Sequence, residues 1–115
     1  DFLIASSEWF AFVPAKEYFD EPGDHADELE TSVMMHYHPE LVNLDEAGDG
    51  NYKKFASQML NEKVAWIPRN WQKVSQDTGI GNPKKASAEK GKKYAEAVVA
   101  KYALLFEELV HKELY

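Results

Sequence analysis

The sequence predicts a layered α/β fold, and three observations carry that prediction. Two short apolar runs, Phe2-Leu3-Ile4-Ala5 and Lys63-Val64-Ala65-Trp66-Ile67, suit buried strands of a parallel sheet. Between them Ala26, Leu29, Val33 and Tyr37 form one stripe at helical spacing. Near the end Ala88, Gly91, Ala95, Val98, Tyr102, Leu105 and Leu109 recur three and four residues apart and read as a long helix. Strand, helix, strand and long helix in that order suggest layers.

Each element is punctuated. The first strand runs from Phe2 toward Phe12 and ends at Pro14. Pro22-Gly23-Asp24 is a turn that leads into the helix at 26–37. That helix stops before Pro39, because a residue preceding proline avoids the helical region. Gly48 and Gly50 mark a loop over 43–51. Residues 52–61 are a short helix or an irregular segment, Pro68 ends the second strand, and 71–76 read as another short strand or an extended loop. Asn82 is a suitable cap and Pro83 a suitable first-turn residue for the last helix. Gly91 inside its stripe costs about 1 kcal/mol relative to alanine, which close packing on the sheet would offset.

Size and composition narrow the functional classes. The 115 residues fit one domain with a modest core. The net charge of −7 disfavours nonspecific nucleic-acid binding and adhesion to anionic membranes. The lysines at 84, 85, 90, 92 and 93 read as a solvated helix face. Absence of cysteine excludes disulfides and thiolate metal sites and suits a reducing cytoplasm, the expected location. No apolar run approaches the ~20 residues of a membrane span.

The chemistry concentrates at the start of the first helix. Glu30 falls inside the apolar stripe, where an unpaired charge costs several kcal/mol unless it is paired or holds a metal. It reads as a metal ligand, or as an ion-paired surface residue if the stripe is rotated. His25 at the helix entrance suits general acid/base work, or a structural hydrogen bond. Asp24 is equally suited to orient His25, to touch a substrate amine, or to cap the helix. Trp9, at the end of the first strand, would face the same crevice as His25, or pack in the core. His36 and His38 point apart on a helix and read as structural. The loop Gly79-Ile80-Gly81-Asn82-Pro83 lacks a nucleotide-binding signature and reads as a tight turn.

The order His25-Ala26, Glu30-Thr31-Ser32, then Pro39-Glu40-Leu41-Val42, with Thr78-Gly79-Ile80-Gly81-Asn82-Pro83 and Ala86-Ser87-Ala88-Glu89-Lys90-Gly91 further on, resembles the creatininase (creatinine amidohydrolase) family. The resemblance covers about Phe2 to Leu109 and matches only the C-terminal half of such an enzyme. It implies a three-layer α/β/α sandwich around a mostly parallel sheet, of which residues 1–115 would be a part. It also implies hydrolysis of a C–N bond in a small amide or cyclic amide by a metal-activated water. His25 would be the proton donor with Asp24 beside it, Trp9 and Ala26 would contact substrate, and Glu30 would ligate metal. The cofactors implied are divalent ions, Zn²⁺ or Mn²⁺ and possibly two, with most ligands outside this chain. No Glu-x-His or Asn-Gly-His is present, so a longer polypeptide or a complex with an N-terminal half is expected, together with a homo-oligomer such as a hexamer. Glu21-Pro22-Gly23 stands where creatininase itself carries a second Trp, which counts against creatinine as the substrate. The competing expectation is a non-catalytic α/β interaction module using Trp9, Trp66 and Trp71.

Overall fold

Two helices pinned together by one glycine organise the molecule. The computed structural model describes residues 3–113 and 115. Helix α1 spans Glu28–Tyr37, α2 spans Gln58–Asn61, α3 spans Trp71–Val74 and α4 spans Ala88–His111. Single 3₁₀ turns at Ala15–Glu17, Pro39–Leu41, Leu44–Glu46 and Pro83–Lys85 join them. Gly91 of α4 lies against the backbone of α1. A Cβ placed there would meet the Ser32 carbonyl oxygen at 1.9 Å, so no side chain fits without separating the helices. Ser32 is itself fully buried, and its Oγ accepts from Ser87 N–H at 3.1 Å, tying α1 to the residue that caps α4.

The core sits on one side of this crossing. Val13, Phe19, Leu29, Tyr94 and Val98 are buried together, with Trp9, Tyr18 and Val33 packed against them. Tyr94 has no exposed surface, and its hydroxyl donates to the carbonyls of Phe10 (3.2 Å) and Val13 (3.1 Å). The polar tip is thereby satisfied and the N-terminal segment is held on α4. Tyr18 and Phe19 meet the Tyr94 ring edge-on, at 5.4 and 5.2 Å.

The expected three-layer α/β/α sandwich with a mostly parallel sheet is overturned: among the described residues there is no sheet. The one β-type pairing is an isolated antiparallel bridge between His25 and Ile80. Leu3 and Ile4 of the expected first strand are 61% and 81% exposed, and Trp66 of the second is 83% exposed. A strand needs a neighbour for its amides and carbonyls, and neither run has one among the described residues. Phe2, also assigned to the first strand, lies outside the described residues. Residues 71–74, expected as strand or extended loop, are helical. Gly91 packs closely as expected, but on a helix and not on a sheet.

The caps also differ from expectation. Asn82 and Pro83 start the 3₁₀ turn, where Asn82 accepts from Lys84 N–H, while Ser87 caps α4 by accepting from Lys90 N–H. Past Val98 the stripe of α4 loses its cover, with Leu105 and Leu109 each more than a third exposed. The Cα radius of gyration is 16.9 Å, against roughly 13 Å for an ordinary domain of this length. None of the described helices is long and apolar enough to cross a membrane.

Candidate active site

The entrance to α1 is built from carboxylates that accept backbone N–H groups. Asp27, which is 3% exposed, caps the helix by accepting from Glu30 N–H at 2.9 Å and holds Gly23 N–H at 2.5 Å. Glu30 reaches back and accepts Ala26 N–H at 2.7 Å. This reciprocal arrangement is close to a capping box, in which the third helical residue satisfies a donor upstream of the helix. Asp24 is therefore not the cap. Its carboxylate lies against one nitrogen of the Arg69 guanidinium, with contacts of 2.7 and 2.8 Å.

The buried carboxylate of α1 is Glu28, not Glu30. Glu28 has no exposed surface, and its two oxygens accept from Glu21 N–H (2.6 Å) and Lys90 Nζ (2.5 Å). A buried charge with both oxygens paired is tolerable, whereas an unpaired one is not. Lys90 also donates to Asp20 and to the Lys85 carbonyl. Hydrogen bonding to Asp20 and then to Glu28 holds the Lys90 pKa above its ordinary value. The side chain of Glu30 stays 36% exposed, at the edge of the apolar face.

His25 is fixed through its backbone. Its N–H donates to Ile80 O at 3.0 Å, and its carbonyl accepts from Ile80 N–H at 2.8 Å. The glycine loop thus serves as the strand that clamps the histidine. Gly81 has φ +118°, and a Cβ there would lie 2.8 Å from Asp27 Cβ and from Gly23 Cα, so only glycine suits that turn. The His25 imidazole is 44% exposed. Its Nδ1 stands 3.7 Å from Glu30 Oε2, too long for a hydrogen bond but close enough for Coulomb attraction when protonated. Its ring packs on Trp71, with centroids 4.8 Å apart. Ala26 follows with φ +48°, in the left-handed region that non-glycine residues rarely occupy.

An open cleft of about 590 Å³ runs beside this entrance. Trp9, Ala26 and Glu30 line it, joined by Val33, Met34 and Leu41 on the apolar side. Asp24 and His25 do not line it: His25 stands behind Glu30, and Asp24 turns to Arg69. Glu46 and Asp77 are two further lining carboxylates that the sequence reading missed. Asp77 is legible as an acid two residues before a glycine, the pattern of a side chain closing its own turn. Its carboxylate accepts Gly79 N–H at 3.0 Å, and that bond holds its pKa below the usual value. No three His, Asp or Glu side chains are grouped in a metal-sized space among the described residues.

A family model described as creatininase, creatinine amidohydrolase, matches residues 3–106. The chain belongs to the creatininase family. A solved protein from Bacteroides fragilis NCTC 9343, provisionally designated a creatinine amidohydrolase, superposes with a TM-score of 0.90 at 61% identity. The match covers 100% of this chain and 46% of that one, so the chain spans less than half the length of the solved creatininase-family protein. A comparison with curated proteins gave no match. At the α1 entrance Thr31 Oγ1 donates to Ala26 O, and Ser32 anchors α4.

Proposed function

We propose that the chain carries part of the active site of an amidohydrolase that cleaves the C–N bond of a small amide or cyclic amide. The observation that carries this reading is a cleft lined by Trp9, Ala26 and Glu30, with the His25 imidazole 3.7 Å from the Glu30 carboxylate. As water adds to the amide carbon and the C–N bond breaks, the departing nitrogen needs a proton. His25 is the group to give it, from a position 3.7 Å from the Glu30 carboxylate. Ala26 and Trp9 would face the substrate, and Asp24 would act from outside the cleft through Arg69. A Zn²⁺ or Mn²⁺ centre, as the family implies, would activate the water; it would take Glu30 as one donor and the others from beyond these residues.

A homo-oligomer belongs to the same proposal, supported by the exposed apolar surface of Trp66, Phe106 and Val110. That surface equally favours the competing reading, a non-catalytic interaction module. Turnover of creatinine and of a panel of small lactams and N-formyl amides by the full-length protein separates the two. His25→Ala should lower kcat by about 10²- to 10⁴-fold with the melting temperature unchanged. A loss of less than about threefold, or no turnover by the parent protein on any panel member, would overturn the hydrolase reading.

A further inference from the structure

We propose that Arg69 and Trp71 are positioning residues for His25, closing a four-residue ring that sets the angle of the imidazole behind Glu30. The inference rests on the reading of His25 as proton donor.

The backbone of His25 is clamped, but its ring is not. The two bonds to Ile80 and the Asp24 N–H donated to the same carbonyl at 2.8 Å fix the peptide on either side of Cα. They leave both side-chain torsions free, and the imidazole has several staggered positions open to it. Glu30 at 3.7 Å makes no hydrogen bond that would select one. The contact that does select is the Trp71 ring, 4.8 Å away and inclined at 42°.

Trp71 comes from the least anchored part of the chain. Between residues 41 and 78 only Gly50 is buried. What brings Trp71 to His25 is Arg69, two residues earlier. The Arg69 guanidinium carbon stands 5.6 Å from the Trp71 ring centre. The same guanidinium meets the Asp24 carboxylate at 2.7 Å. Asp24 is bonded covalently to His25. The path therefore closes: Asp24 to Arg69, Arg69 to Trp71, Trp71 to His25, and His25 back to Asp24. Arginine is suited to the corner, since its planar group takes an aromatic face and a carboxylate at once, which a lysine ammonium does less well. The ion pair alone, between partners each about a third exposed, would add little to folding. Its location beside His25 is what gives it a use.

The test takes Arg69→Ala, Arg69→Lys, Trp71→Ala and Trp71→Phe in the full-length protein, with Val64→Ala as a control on the exposed neighbouring segment. Two readouts are needed. The first is the NMR shift of the His25 ring protons, which lie in the ring current of Trp71 and report on orientation without any substrate. The second is kcat and KM on the substrate that the parent protein turns over best. Arg69→Ala and Trp71→Ala should move the His25 signals and lower kcat by about 10- to 100-fold, the scale of a misplacement near 1 Å, with KM within about twofold. Trp71→Phe and Arg69→Lys should restore part of the loss, and these conservative variants carry the test should the alanine forms fold poorly. Val64→Ala should change neither readout. Unmoved His25 signals in both Arg69 variants would overturn the ring. Moved signals with unchanged turnover would instead overturn the role of His25 as proton donor.

Discussion

The two sides of the cleft are built to different standards. One side comprises residues 13–37 and 79–98 and contains the buried core, the caps of α1 and α4, and the Glu28–Lys90 pair. The other, residues 41–78, contributes two four-residue helices and a single buried residue, Gly50. The first presents Ala26, Glu30, Thr31 and Val33 to the cleft, and the second presents Leu44, Glu46, Gly48 and Asp77. The lesson is that the residues proposed for proton transfer stand on the side where every buried polar group has a partner. Apart from Arg69 and Trp71, which reach across to Asp24 and His25, the facing side can vary in sequence without disturbing them, which suits a wall that contacts substrate.

The sharpest way to break this contrast is at the helix crossing. Gly91→Ala drives a methyl into the Ser32 carbonyl, and the helices must part or tilt. Loss of about 3 kcal/mol of unfolding free energy is expected, read by urea denaturation. A neutral result would mean that the α1–α4 contact is not the frame of the anchored side. Next in size is Asp27→Ala, which removes the α1 cap and leaves the Gly23 and Glu30 amides without an acceptor. About 2 kcal/mol should be lost, with Asp27→Asn recovering much of it, by the same measurement.

The smallest effect concerns pH. Burial holds the Tyr94 phenol pKa above its ordinary value of 10.0. The neutral phenol is therefore the form the fold prefers. Its contribution is fully present below pH 10 and is lost as pH rises through the higher folded-state value. Tyr94→Phe should cost about 1 kcal/mol at neutral pH, from the lost bonds to Phe10 and Val13, and should flatten the alkaline decline in a melting-temperature series. An equal alkaline decline in both proteins would assign it to other groups.

The helices were legible in the sequence where their ends were marked. Pro39 and the Pro22-Gly23-Asp24 turn framed α1, which starts two residues later than the expected 26, and the spacing of Gly91, Ala95 and Val98 gave the buried face of α4. The strands were misread because a short apolar run looks the same whether it is paired in a sheet or lies extended. The carboxylate on the buried face was placed two residues late for a related reason. The inward side of α1 carries Glu28 and Ser32, which hydropathy counts as outward, so the apolar stripe was rotated toward Val33 and Tyr37. Tyr94, three residues after Gly91 and four before Val98, shares the buried face of α4 and was passed over because hydropathy counts tyrosine as polar. Trp9, Ala26 and Glu30 line one cleft, whereas His25, expected to face the same crevice as Trp9, is not among its lining residues, and the partnership of Asp24 with Arg69 spans 45 residues and had no local signal.

The left-handed backbone at Ala26 restricts how this cleft can be redesigned. Glu30 locks the Ala26 N–H, so the φ of +48° cannot relax without undoing the helix entrance. A β-branched residue is excluded there by its own backbone, and glycine, free of the Cβ that makes the conformation costly, is the natural replacement. An engineer seeking a different substrate shape next to His25 would recut the cavity from Trp9 or Met34, where the chain has ordinary freedom, and would leave position 26 alone.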